Sequence, residues 1–352
     1  MDKMRIAIAG AGNIAQNAHL PAYAKRSDVE IVAICDLNLE RAQGAAEKFG
    51  IPKAYGNARD MIRETDCDAV DICVWNRAHM EVAVLAAEAG RNILCEKPMA
   101  LNVQHALAMR DAVKKSGVTF MMAMPRRFFP EVQFVENMAR EGKMGKMFYA
   151  RASMLRRRGT PLGWFTDTAK SGGGPVIDIG VHAIDCAWFL LGRPKPIRVS
   201  ASTSYAIGDY QTKGVSRWVA LDSDVTAFDT EDSTTGVFHF ENGASLSFDV
   251  SWAINLEDAD TTVVSGSLAG AKIACTDGFR PNVTIYAESE GYLTDNTPKF
   301  LAVNPFEQEI DCFLHCLRNG ESPDASLQDG LTMIRMLMGI YQSAKEGREV
   351  IF

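Results

Sequence analysis

The chain has 352 residues, of which 47% are hydrophobic and 23% charged; it is longer than one typical domain and can bury a core in each of two. Its formal net charge of -7 argues against nucleic acid or an anionic membrane as partner, since an acidic surface attracts neither. No apolar run is long enough to span a bilayer and the N-terminus shows no signal-peptide pattern, so a cytoplasmic protein is expected.

From residue 4 to about 124, short apolar runs alternate with helical patterns. Strands are predicted at Arg5–Ala9, Ile31–Cys35, Ala69–Val74, Asn92–Cys95 and Thr119–Ala123, with helices over 13–26, 38–49, 79–90 and 102–116. Asn102 fits an N-cap, and Gly50, Gly90 and Gly117 fall where helices should stop. Continuously apolar strands joined by helices imply a parallel sheet covered on both faces. Residues 1–124 therefore read as a doubly wound, Rossmann-type α/β domain.

Gly10-Ala11-Gly12-Asn13-Ile14-Ala15 follows the first strand and opens a helix. Gly10 permits the tight turn, Gly12 lets backbone approach a pyrophosphate, and Ala15 allows close helix–strand packing. Asp36 ends the second strand, where a carboxylate accepts hydrogen bonds from an adenosine ribose and repels a 2′-phosphate. Neither Leu37 nor Asn38 supplies a compensating cation, so NAD is expected rather than NADP. Beyond the carboxyl ends of later strands, Asn76 and His79, and then Glu96 and Lys97, should face the nicotinamide half of the cofactor. Asn76 fits a ribose or amide contact, whereas His79 could also simply cap a helix start.

After Met124 the pattern changes. A helix around 130–142, a strand Lys146–Leu155 and a helix over 178–191 precede alternating strands at Thr234–Phe240, Ala244–Trp252 and Thr261–Ser265. Glu241-Asn242-Gly243 is a hairpin signal, and 305–345 returns to helical periodicity. Residues 125–352 therefore read as an α+β domain with a large open, mostly antiparallel sheet, whose last helices can pack back on the first domain. The eight cysteines read as buried thiols. Cys312, His315 and Cys316 share a helical face but lack a second ligand pair, so no metal is expected.

A dinucleotide turn followed by Glu96-Lys97-Pro98 and Asp178-Ile179-Gly180-Val181-His182 suggests hydride chemistry on an alcohol. Oxidation of an alcohol needs a base for the hydroxyl proton, and histidine titrates near working pH. A lysine ammonium stabilises developing alkoxide charge and can relay the proton. Asp178 precedes His182 by four residues, which on an α-helix puts both on one face.

The run Ala69–Ala100 with Glu96-Lys97-Pro98, and Gly172-Gly173-Gly174-Pro175-Val176-Ile177-Asp178-Ile179-Gly180-Val181-His182, resemble the two signatures of the Gfo/Idh/MocA oxidoreductases, which include glucose–fructose oxidoreductase and inositol dehydrogenase. Trp75 stands where that family usually has Pro, and Asn92 where it often has His. The resemblance implies that Lys97 and His182 flank the substrate carbon with Asp178 beside them, and that a cis Pro98 fixes the aim of Lys97. It implies an NAD-dependent dehydrogenase acting on a sugar, sugar derivative or cyclitol, working as a homodimer or homotetramer. Arg127 occupies a position that often reaches the substrate, the alternative being a structural ion pair. Arg156, ending a strand with Arg157 and Arg158, faces either a polyhydroxylated substrate or solvent. Trp164 could stack on a sugar face or pack under its loop. Two rivals stay open within the superfamily: a glycosidase that retains NAD and oxidises transiently, and a non-catalytic nucleotide sensor.

Overall fold

The computed structural model describes residues 3–221, 227–275 and 280–352, which fall into two compact units. The first takes the chain up to Pro125 together with Ala169–Gly172 and Pro305–Ile334; the second takes Arg126–Thr168, Gly173–Asn304 and Arg335–Phe352.

In the first unit, β1 (Met4–Ala9), β2 (Val29–Cys35), β3 (Ala54–Tyr55), β4 (Ala69–Ile72), β5 (Asn92–Cys95) and β6 (Phe120–Met122) form one sheet. Their order is β3-β2-β1-β4-β5-β6, and every neighbouring pair is parallel. Parallel neighbours require crossovers, supplied by α1 (Leu20–Ala24), α2 (Leu39–Phe49), α3 (Ala58–Glu64), α4 (His79–Glu88) and α5 (Val103–Ser116). All four residues of β4 are buried, as burial on both faces demands. Asn38, Asn57 and Asn102 cap α2, α3 and α5, each side chain accepting the backbone N–H three residues on. The chain works outward from β1 to β3 and then returns to β4, and this reversal opens a crevice at the carboxyl ends of β1 and β4.

Three features of this unit depart from the sequence reading. The sheet has a sixth strand, β3, whose two residues are too short to show periodicity, and α3 follows it where no helix was predicted. The helix expected over 13–26 starts as a single π-helical turn, Ala15–His19, before α1.

The second unit begins with α6 (Pro130–Arg140), β7 (Met147–Leu155), the single turn α7 (Thr168–Ser171), which ends in the first unit, and α8 (Val181–Leu190). Then come β8 (Pro196–Ser204), β9 (Ser233–Phe240), β10 (Ser245–Ser251), β11 (Ala259–Gly266), β12 (Ala269–Cys275), β13 (Pro281–Ser289) and β14 (Tyr292–Asn296). The chain closes with α9 (Pro305–Asn319), α10 (Leu327–Glu346) and β15 (Val350–Ile351). The nine strands order as β14-β13-β12-β11-β7-β10-β9-β8-β15. β7 and β10 run parallel, and the other neighbours antiparallel.

α8 packs across β7, β10 and β11, and α6 packs on α8. The core of this unit includes Phe238 and Phe248, their rings 5.4 Å apart, and the buried Trp252. The reading found β7, β9, β10 and β11 but not β8, β12, β13, β14 or β15; β14, with four of its five residues exposed, and the two-residue β15 lack the alternation a half-buried strand carries. Here too a π-helical turn, Val176–Gly180, precedes a helix, α8. Among the described residues no helix is long and apolar enough to cross a membrane.

Candidate active site

In the first unit the Gly10 N–H donates to Cys35 O at 2.8 Å, so the turn after β1 starts level with the end of β2. Gly10 has φ +102°, and a Cβ there would lie 2.5 Å from Cys73 O; both demand glycine. At Gly12 an added Cβ would meet nothing within 4 Å, which leaves its backbone open to a ligand. Asn13 and Ile14, both half-buried, carry the chain into the π-helical turn, and Ala15 is fully buried. Asp36 ties this turn down: Oδ2 accepts the Ala11 N–H at 2.9 Å and Oδ1 the Asn38 N–H at 2.8 Å. Arg41 Nη2 lies 3.1 Å from the same Oδ1. This cation comes from the first turn of α2 and escaped a reading confined to the two residues after Asp36. The open backbone at Gly12 and the half-buried carboxylate at Asp36 fit a dinucleotide.

The strand ends are level across β1, β4 and β5, since Cys73 N–H donates to Ala9 O and Glu96 N–H to Ile72 O. Glu96 thus emerges two strands from the glycine turn, about 10 Å at normal strand spacing. Lys97 is half-buried, its backbone N–H donates to Glu96 Oε2 at 3.1 Å, and the Lys97–Pro98 peptide is cis.

His79 corrects the expectation of a cofactor contact. It is fully buried, with Nδ1 2.8 Å from Pro98 O and Nε2 3.0 Å from Val74 O. Burial holds its pKa below the usual histidine range, so a neutral ring donates to one of these carbonyls and clasps the Pro98 segment. Asn76, also buried, donates from Nδ2 to Ser171 O at 2.7 Å.

In the second unit the glycine-rich signature wraps a buried carboxylate. Glu231 Oε2 accepts the Gly174 N–H at 3.0 Å; Oε1 accepts the Val176 N–H at 3.3 Å and the Tyr341 hydroxyl at 2.7 Å. A Cβ on Gly173 would lie 2.1 Å from that hydroxyl. Burial pushes the pKa of Glu231 up, against these hydrogen bonds, which lower it. Asp178 sits within the π-helical turn and accepts the Trp252 indole N–H on Oδ2 at 3.1 Å. His182, half-buried, is the second residue of α8. The two residues are therefore not four apart on an uninterrupted α-helix, as the spacing predicted. Glu231, Tyr341 and Trp252 were missed because their roles come from contacts 55 to 110 residues away.

Arg127 takes the structural alternative. It is fully buried, Nε and Nη2 donate to both oxygens of Asp185 at 2.9 and 2.7 Å, and its guanidinium lies over the Phe189 ring. A bidentate buried pair leaves that fork committed within the core. Arg156 is half-buried with Nη1 3.4 Å from Gly159 O. Trp164 stacks on Phe165 with ring centres 4.0 Å apart, and Phe165 meets the half-exposed Trp218 edge-on. On α9, His315 points to solvent beside Asn319 and Glu321, away from the buried Cys316.

A parallel sheet with an open glycine turn at its reversal point is the architecture of a dinucleotide-binding domain, and the chain carries with it a second unit built on an open antiparallel sheet. Residues 4–124 match the family model described as "Oxidoreductase family, NAD-binding Rossmann fold", and residues 132–272 match "GFO/IDH/MocA C-terminal domain". The chain is 32% identical to D-glucoside 3-dehydrogenase of Escherichia coli strain K12, over 99% of this chain and 97% of that protein. It is 30% identical to D-apiose dehydrogenase of Paraburkholderia graminis, over 98% and 88% respectively. The solved structure of levoglucosan dehydrogenase, complexed with NADH and levoglucosan, shares its fold with a TM-score of 0.86 at 24% identity, covering 99% of each chain. The chain belongs to the Gfo/Idh/MocA family of oxidoreductases.

Proposed function

We propose that this chain is an NAD-dependent dehydrogenase that oxidises a hydroxyl-bearing carbon of a sugar, with glycosides the first class to try. The observation that carries this reading is the grip on Lys97: Glu96 accepts its backbone N–H, and the buried His79 ring lies against the following Pro98 carbonyl. That places an anchored cation at the carboxyl edge of the sheet that carries the open glycine turn. Similarity along nearly the full length to a protein named D-glucoside 3-dehydrogenase supports the substrate class.

Gly10, Gly12, Asn13, Ile14 and Asp36 would hold NAD, which supplies the hydride acceptor. Lys97 steadies the substrate oxygen as its proton leaves, and His182 takes or passes that proton. Asp178, aimed by the Trp252 indole, orients His182 or accepts a substrate hydroxyl. Trp164 and Arg156 stay in the proposal as substrate contacts, whereas Arg127 and His79 act as supports. NAD is favoured over NADP because the Asp36 carboxylate opposes a 2′-phosphate, although its partner Arg41 softens that preference. The reading includes a cytoplasmic location, supported by eight free cysteines. It also includes a homodimer or homotetramer, supported by Phe148, Tyr286 and Leu293, which lie exposed on strands of the second unit.

The test is NADH absorbance after mixing the purified protein with NAD⁺ and a panel of glycosides, free sugars, amino sugars, sugar phosphates and inositols. A rise with one class is expected. No rise with any of them, while NAD⁺ still binds, contradicts the reading and favours retained-cofactor glycosidase chemistry or a sensor.

A further inference from the structure

We infer that His19 is a positioning residue for Lys97, acting through Glu96; the inference rests on Lys97 serving the reaction as proposed above. His19 is the last residue of the π-helical turn after the cofactor loop and is completely buried. Its Nδ1 lies 2.7 Å from Asp71 Oδ2 and its Nε2 lies 3.1 Å from Glu96 Oε1. An imidazolium in this place donates to a carboxyl oxygen on each side, and that is the charge state assigned to the ring.

Glu96 is thereby clamped at both ends of its carboxylate, Oε1 by His19 and Oε2 by the Lys97 N–H. With one oxygen held it could swing about its terminal torsion, whereas with two it offers the Lys97 backbone a single anchor. The relay Asp71–His19–Glu96–Lys97 runs from β4, through the helix that follows β1, to the segment after β5. The glycine turn and the lysine are tied together by it.

The surrounding groups agree with a charged ring. Burial opposes charge on His19, but Asp71 drives its pKa well above the ordinary value. Burial would raise Glu96, yet the His19 hydrogen bond holds it below the ordinary range. Glu309 of α9, Tyr23 of α1 and Cys73 after β4 face the same cluster, and burial pushes all three upward, so they stay neutral. His19, Asp71 and Cys73 lie close enough to share an ion. Each His19 nitrogen already faces a carboxylate, however, and a proton is assigned to both of them.

Two measurements on the full chain test this. Nitrogen NMR of the His19 ring should show both nitrogens protonated at about pH 7; a singly protonated ring overturns the inference. Glutamine carries both its N–H groups on one atom and cannot span the two carboxylates, so His19→Gln should lower kcat on the order of 10²-fold with KM for NAD⁺ unchanged. The assay uses methyl β-glucoside, or the panel sugar with the highest rate. In a Lys97→Met background the same change should cost nothing further, because both substitutions strike one unit. Independent, multiplying losses would mean a merely structural role and overturn the inference. Should His19→Gln not fold, Glu96→Gln must show the same non-additivity. Failure of the underlying reading looks different: Lys97→Met itself would then keep full activity.

Discussion

The two units hold their candidate reactive groups in place by different means. In the first, the Lys97 backbone is anchored by the Glu96 side chain, with Glu96, His19 and Asp71 in one buried chain of titratable groups. In the second, Asp178 and the glycine-rich turn are held by an indole N–H, a phenol and backbone amides, around one buried acid. The glycine turn of the first unit and the glycine-rich signature of the second nonetheless each lead into a helix through a π-helical turn, Ala15–His19 and Val176–Gly180, a distortion common at functional sites. Charge makes the first arrangement depend on protonation, whereas dipoles and packing make the second depend on shape.

The largest effect that bears on this contrast is expected from Lys97→Met, which should lower kcat by roughly 10² to 10⁴-fold, the usual worth of a proton-handling group. NAD⁺ affinity, measured by calorimetry, should stay as it was. Gly10→Ala comes next. Its Cβ would strike the Cys73 carbonyl and its φ is wrong for alanine, so a loss of about 1–3 kcal/mol in stability, together with NAD⁺ binding, is expected in thermal melts and titrations. Gly12→Ala meets nothing and should keep its stability while weakening NAD⁺ binding alone.

Shape dependence in the second unit is tested by Trp252→Phe, which keeps an aromatic ring in the core and deletes the hydrogen bond to Asp178. Such a bond to a charged group contributes about 1.5 kcal/mol, so kcat should fall about tenfold; an unchanged kcat would detach Asp178 from the mechanism. In Asp36→Ala, Arg41 is released from its partner, so affinity for NAD⁺ should drop and the ratio of NADP⁺ to NAD⁺ activity should rise.

The smallest effect is on pH. His19 and Glu309 both have pKa values raised well above the ordinary 6.5 and 4.5. A raised pKa contributes stability that is complete below the ordinary value and is lost as pH climbs through the folded one. Melting temperature should therefore fall as pH rises through neutral into the alkaline range, and Glu309→Gln should flatten the Glu309 share. Glu231→Gln should change the slope less, since hydrogen bonds partly offset the burial of that acid.

Local chemistry was legible in the sequence. Gly10–Ala15, Asp36 and Glu96-Lys97-Pro98 are short motifs that stand out locally, and apolar strands with capped helices carry the parallel sheet, whereas the spacing of Asp178 and His182 gave no sign of the π-helical turn that includes Asp178. What stayed hidden depends on distant partners: His19 meets Asp71 and Glu96 across 52 and 77 residues, and Trp252 meets Asp178 across 74. A faint signal existed, because His19 and Glu309 are polar residues on apolar helix faces. Arg127 was ambiguous for the same reason: only its pairing with Asp185, 58 residues on, makes it structural.

The most direct test of the central claim uses a methyl glucoside carrying deuterium on every ring carbon, mixed with NAD⁺ and a stoichiometric amount of enzyme. Mass spectrometry of the nicotinamide should find one deuterium transferred, with the sugar recovered as a ketone. Cleaved glycoside beside unlabelled NAD⁺, or no reaction with cofactor bound, would contradict a dehydrogenase that transfers hydride from a sugar carbon.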